Sequence, residues 1–160
     1  MTRMALLALT LFTATDARPA EREDAPSAAP LFLQASISTA GPYGEGWYLT
    51  LAPSGEVTLQ VFYNQSPSGT LLGRFILSEE KTLAIREACA AQEFFGLPPS
   101  LTPPQQAFHR PHLQLDIHLG GRHHKVSLYD PAELKGQATT NRFLAVWASV
   151  FQGLPVRPSW

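Results

Sequence analysis

Two stretches of the chain alternate apolar and polar side chains with a period of two, which is typical of β-strands buried on one face. The first covers residues 47–63, with a turn sequence at 52–55, and the second covers residues 113–129, with the turn Gly120-Gly121. Each stretch therefore predicts a β-hairpin. A hairpin has to bury its apolar face against another element, so the alternation also requires something that packs on it.

A helix pattern follows each hairpin. Ser78 is an N-cap candidate with two glutamates after it, and this helix is expected to run to about Gln92, since Pro98 and Pro99 stop any continuation. The second helix is expected to start near residues 139–141, with Gly153 as its C-cap. Its apolar stripe has three- and four-residue spacing and comprises Phe143, Leu144, Trp147, Val150 and Phe151.

Further strands are expected at Leu31–Thr39 and, more briefly, at residues 74–77. Five prolines between residues 98 and 111 predict a long loop between the two halves of the chain. Together these elements predict a single α+β domain. It would consist of an antiparallel sheet of four to six strands with two helices on one face.

The two predicted helices end in related sequences, Glu93-Phe-Phe-Gly-Leu-Pro98 and Val150-Phe-Gln-Gly-Leu-Pro155. One hypothesis is an internal duplication of a hairpin–helix unit, and the alternative is a generic helix stop that arose twice. The order of elements, carried by residues 47–63, 94–98 and 113–129, resembles uncharacterised secreted bacterial domains with a hairpin, a helix ending in Phe-Phe-x-Leu-Pro, and a second hairpin and helix. The resemblance implies the fold and transfers no catalytic residue.

The N-terminal residues are typical of an export signal. Arg3 precedes an apolar stretch at residues 5–14, about half of the roughly 20 residues that a membrane-spanning helix needs. We expect residues 1–17 to be a signal peptide cleaved after Ala17; the alternative is a buried core helix. Residues 18–30 contain no large apolar side chain and predict a disordered leader, so the domain is expected at 31–160. The predicted location is periplasmic or extracellular.

Charge, cysteine content and missing motifs argue against several classes of function. A net charge of −1 gives no pull toward nucleic acid or, after signal removal, toward membranes. The single cysteine, Cys89, forms no internal disulfide and is expected to be buried on the first helix. The sequence contains no Gly-x-Ser-x-Gly, His-Glu-x-x-His, Walker or dinucleotide-binding motif. We therefore expect no enzyme and no cofactor.

All five histidines lie between residues 109 and 124. With Gly120-Gly121 as the turn, His118 faces His123 and Asp116 faces Lys125 across the hairpin. Two imidazoles at that spacing can share a divalent metal ion, with Asp116 or His112 along the same face. The alternative is a solvated sheet face with an Asp116–Lys125 pair, where any metal binding is adventitious.

Two loops carry candidate binding residues. Tyr43 lies in a glycine-rich loop, and Phe108, His109 and Arg110 lie in the proline-rich one; Phe108 could instead fold inward to cover the core. The favoured function is a monomeric, non-catalytic protein-binding or inhibitor-like module that contacts another exported protein. The alternative is a metal-binding protein that uses the histidine-rich strand face. A small hydrolase using Asp116, His118 and Ser127 is the third hypothesis.

Overall fold

The computed structural model of the protein describes residues 29–39, 45–63, 69–152 and 154–155. The predicted signal peptide, most of the predicted leader, Tyr43 and Gly153 lie outside these residues. The elements in chain order are β1 (Leu31–Thr39), β2 (Glu45–Leu51), β3 (Glu56–Tyr63), β4 (Thr70–Ile76), α1 (Glu79–Ala91), a 3-10 turn (Phe94–Gly96), β5 (Ser100–Leu101), β6 (Pro111–Leu119), β7 (Arg122–Tyr129) and α2 (Ala138–Phe151).

In the described part of the chain the strands form one seven-stranded sheet in the order β4-β3-β2-β1-β6-β7-β5. The α+β class is confirmed, but the expectation of four to six antiparallel strands is wrong, because β5 adds a strand and runs parallel to β7. The amide of Ser127 donates to the carbonyl of Pro99 at 3.0 Å, and the Leu101 side chain is buried. A strand of two residues is too short to show any alternation, so the surrounding prolines predict only a loop.

Alternate residues of the central strands point into one core on a single face of the sheet. β1 contributes Leu31, Leu33 and Ile37, and the same alternation continues on its neighbours β2 and β6. Both helices add buried side chains to this cluster, including Cys89 of α1 and Phe143 of α2, so both pack on the same face. The opposite face carries no helix among the described residues and presents polar side chains from β1, β6 and β7. None of the described helices is long and apolar enough to cross a membrane.

The helix ends show which local predictions hold. Ser78 is the N-cap of α1, and its Oγ accepts a hydrogen bond from the Lys81 amide at 3.3 Å. α2 begins at Ala138, slightly before the expected 139–141. Within the two related end sequences, Phe94 and Leu97 are buried after α1, and Phe151 and Leu154 are buried at the end of α2. The two segments thus place equivalent side chains in the core. However, four strands precede α1 and three separate it from α2, and duplication stays a hypothesis.

Candidate functional site

The β6–β7 hairpin closes through a two-residue turn that glycine favours at both positions. Gly120 has φ 58° and Gly121 has φ 73°, in the left-handed region that side chains with a Cβ rarely adopt. This turn sets Leu119 opposite Arg122, so the predicted register is confirmed. His118 therefore faces His123 on the open face of the sheet.

Asp116, His118 and His123 form a compact group, which we call the Asp116 cluster. The two imidazole rings stack with centroids 3.9 Å apart and an interplanar angle of 13°. Oδ1 of Asp116 lies 2.8 Å from Nε2 of His123 and 3.4 Å from Nε2 of His118. One ligand atom from each residue lies within 4.8 Å of the other two. About half of each histidine side chain is exposed, whereas Asp116 is largely buried.

The neighbours of the Asp116 cluster fix its orientation. Phe32 of β1 is paired with His118 and meets its ring edge-to-face at a centroid distance of 5.4 Å. Lys125 is the register partner of Asp116, as expected from the turn. The Asp116 carboxylate nevertheless contacts His118 and His123. The alternative of an Asp116–Lys125 ion pair therefore does not account for its contacts.

His112 lies at the other end of β6 from the Asp116 cluster. It is six positions from His118 along the strand, a distance of about 20 Å. Its ring contacts that of Tyr129, with centroids 6.3 Å apart. Burial, and then the positive charge of Lys125, lower the pKa of His112. The structure therefore does not bring this predicted metal-site residue to the other three.

The hydrolase constellation is not assembled on this face. Oγ of Ser127 accepts a hydrogen bond from the Gln114 side chain at 3.2 Å. Asp116 contacts His118 and His123, so Ser127 is part of a separate cross-strand pair. A nucleophilic serine has to lie within hydrogen-bond reach of its base. The partner of Ser127 is the Gln114 side-chain amide, which is not a base.

Residues 98–111, here called the proline loop, are held at several points. β5 fixes the start of the loop against β7, and the Tyr129 hydroxyl donates to the carbonyl of Ala107. At the far end Nε of Arg110 lies 3.3 Å from Oδ2 of Asp130. Between these points the Phe108 side chain is 89% exposed. The alternative in which Phe108 folds inward to cover the core is therefore wrong.

His109 links Phe108 to Arg110 with a backbone φ of 62°, which is uncommon outside glycine. This residue turns the chain so that Phe108 faces solvent while Arg110 returns to Asp130. Backbone strain of this kind persists only where the surrounding contacts hold it. Of the four predicted binding residues, three thus form one fixed segment, and Tyr43 lies outside the described residues.

A pocket of about 340 Å³ opens beside the proline loop, between the end of the sheet and α2. Its walls are mainly apolar and include Ile37, Leu113, Leu144 and Trp147, while Arg110 and Asp130 supply charge. Asp130 is buried, with φ 48°, and its Oδ2 lacks an aligned hydrogen bond although the Arg110 guanidinium is close. The sequence pattern did not identify this pocket, because its walls come from β1, β6, α2 and two loops that are distant from one another along the chain.

The sequence pattern also missed several other exposed apolar side chains. Among the described residues the other exposed large apolar side chains are Leu71, Leu72 and Ile76 on the edge strand β4, and Leu83 on α1. The sequence carries one signal for these exposed side chains. Two leucines follow each other in β4, and such a pair breaks the apolar–polar alternation of a strand that is buried on one face.

Comparison of the chain with models of known protein families and with curated protein sequences gave no match.

Proposed function

We propose that the protein is a non-catalytic binding module that holds another exported protein through the proline loop and the adjacent pocket. The observation that carries this proposal is the position of Phe108, whose ring is 89% exposed on a loop fixed on both sides. The exposed side chain of Phe108 makes no part of the core, so it is available for contact with a partner. Burying such a ring in a partner stabilises the complex by about 1.5–3 kcal/mol.

The anchoring of the proline loop makes Phe108 a favourable contact residue. Five prolines and the Arg110–Asp130 ion pair restrict the loop before binding. Less conformational entropy is then lost on association, which is the general advantage of a preorganised contact surface. Half of the Arg110 side chain is exposed, so its guanidinium can also meet a carboxylate of the partner.

The pocket beside the loop supports a reciprocal contact. Its walls are mainly apolar and suit an apolar or aromatic side chain of the partner. Aromatic side chains bury a large apolar area in such a pocket. The proposed partner therefore offers a socket for Phe108 and inserts an aromatic residue into the pocket. An inhibitor that inserts a rigid loop into a cleft of an exported enzyme has this arrangement.

Affinity capture with matched variants tests the proposal. Immobilised protein is incubated with the exported protein fraction of the source organism, and retained proteins are identified by mass spectrometry. A genuine partner should be retained by the wild type and by Ile76→Ser, which removes a 70% exposed apolar residue at the other sheet edge. Phe108→Ala and the pocket-blocking Ala132→Trp should lose it.

The interaction is then measured with the purified partner. Phe108→Ala and Arg110→Ala should each weaken binding at least tenfold, which is the effect of a central contact residue. Equal binding by wild type and Phe108→Ala would contradict the proposal. So would loss of binding in Ile76→Ser alone, because that result would place the contact on β4.

A further inference from the structure

We propose that the Asp116 cluster is a binding site for one divalent transition-metal ion of the zinc class. This site is independent of the proline loop and of the function proposed above. Two imidazole nitrogens and one carboxylate oxygen converge from the ends of β6 and β7 on the open sheet face. Zinc commonly takes three such protein ligands together with a water molecule in the fourth position.

The distances in the cluster are close to those that a metal ion needs. Ligand atoms bound tetrahedrally about 2.1 Å from zinc lie roughly 3.4 Å apart. Oδ1 of Asp116 lies 2.8 Å from one histidine Nε2 and 3.4 Å from the other, and no pair of ligand atoms in the group exceeds 4.8 Å. Both histidine side chains are half exposed, and their stacked rings have to tilt toward each other to direct both Nε2 atoms at one ion.

The backbone places these residues together before any metal binds. The Gly120-Gly121 turn fixes the register that opposes His118 and His123, and Phe32 packs against His118 from the neighbouring strand. In the metal-free protein Asp116 contacts both imidazoles, so the three ligand groups already lie together. A metal ion would take the place of these direct contacts, with each histidine binding through a neutral ring nitrogen.

The positive charge of Lys125 opposes metal binding at the Asp116 cluster. Two histidines without such a neighbour would lack this effect. Lys125 is the register partner of Asp116, so it adds a positive charge to the sheet face that carries the site. Burial, and then this charge, lower the pKa of His112 farther along β6. A neighbouring positive charge disfavours a bound cation. Removing this charge should tighten metal binding while all three ligands stay in place.

The test is a calorimetric titration of the full chain with zinc chloride, together with thermal melts at each metal concentration. We expect one zinc ion per chain. We also expect Tm to rise, since the ion bridges β6 and β7 only in the folded state. His118→Ala, His123→Ala and Asp116→Asn should each weaken zinc binding at least tenfold. His112→Ala is the matched control on the same strand face and should bind like the wild type.

The Asp116→Asn and Lys125→Gln variants distinguish a specific three-ligand site from non-specific zinc binding by surface histidines. If Asp116→Asn binds zinc as tightly as the wild type, or if His112→Ala weakens binding as much as His118→Ala, the proposal is overturned. Absence of zinc binding by the wild type also overturns it. Because a folding defect cannot tighten a site, stronger zinc binding by Lys125→Gln supports the proposal even if a ligand variant proves unstable, and no tightening counts against it.

Discussion

Nε of Arg142 in α2 lies 2.7 Å from the carbonyl oxygen of Gln92, the residue that caps the end of α1. The same guanidinium donates to the Glu93 carbonyl at 3.1 Å and to its carboxylate at 2.8 Å. The last carbonyls of a helix have no partner within it and carry partial negative charge. One side chain of α2 therefore satisfies the C-terminus of α1 and joins the two helices on the sheet.

Arg142→Met should lower the free energy of unfolding by about 1–2 kcal/mol, because it removes a charged donor from the partly buried Gln92 carbonyl and from the exposed Glu93 groups. Arg142→Lys should recover only part of this loss, since an ammonium group cannot reproduce the fork of the guanidinium. Urea unfolding measures both. Arg74→Met, a change at an exposed position of β4, is the control and should stay within about 0.5 kcal/mol of the wild type. A loss no larger than the control's would show that the two helices do not depend on this contact.

Cys89 should be unreactive in the folded protein. The side chain is 1% exposed on α1, and burial raises the pKa of the thiol to about 12. At about pH 8 only about one thiol in ten thousand is then the reactive thiolate. A disulfide reagent should label native protein slowly and guanidinium-unfolded protein within minutes. An exposed cysteine introduced as Ala132→Cys in a Cys89→Ser background provides the fast folded control, and equally fast labelling of native wild type would contradict the burial.

His112 should make the protein less stable in mild acid. Because burial and the Lys125 charge lower its folded-state pKa, the unfolded chain binds the proton first as pH falls below the ordinary histidine value of about 6.5. Stability is full above that pH and is lost progressively until the lowered folded pKa is reached. His112→Gln should therefore lose less stability than the wild type between about pH 7.5 and pH 5. Urea midpoints at the two pH values measure the difference.

Lys125→Gln separates the two causes of the lowered pKa of His112. Burial is the larger cause, so the variant should raise the pKa only part of the way toward the ordinary value. An NMR titration of the His112 ring resonances gives the value directly. Full recovery in Lys125→Gln would show instead that the charge, and not burial, is dominant.

Structural features that depend on a few neighbouring residues could be predicted from the sequence. The glycine pair fixes the β6–β7 register, and therefore the facing of His118 and His123, within a few residues of chain. The N-cap at Ser78 is equally local. Features that join distant parts could not be predicted. The parallel pairing of β5, the Arg142 contact with α1 and the pocket walls all depend on tertiary packing.

In the candidate site the backbone pairing could be predicted from the sequence, but the side-chain contacts could not. The cross-strand register gives Lys125 as the partner of Asp116, and the backbone confirms that pairing. The Asp116 carboxylate nevertheless contacts the diagonal neighbour His123 and His118 on its own strand. Side-chain length and the stacking of the two rings decide between these partners. Neither quantity can be deduced from spacing along the chain.

Phe108→Ala should leave the free energy of unfolding within about 0.5 kcal/mol of the wild type, because its ring is 89% exposed and makes no part of the core. Phe94→Ala is the matched control. That ring is fully buried against Phe95 and His124, and its loss should cost about 3–5 kcal/mol. Urea unfolding of the two variants at one pH gives the comparison. A destabilisation by Phe108→Ala approaching that of Phe94→Ala would mean that the loop seals the core, and Phe108 could then not serve as the exposed contact on which partner binding depends.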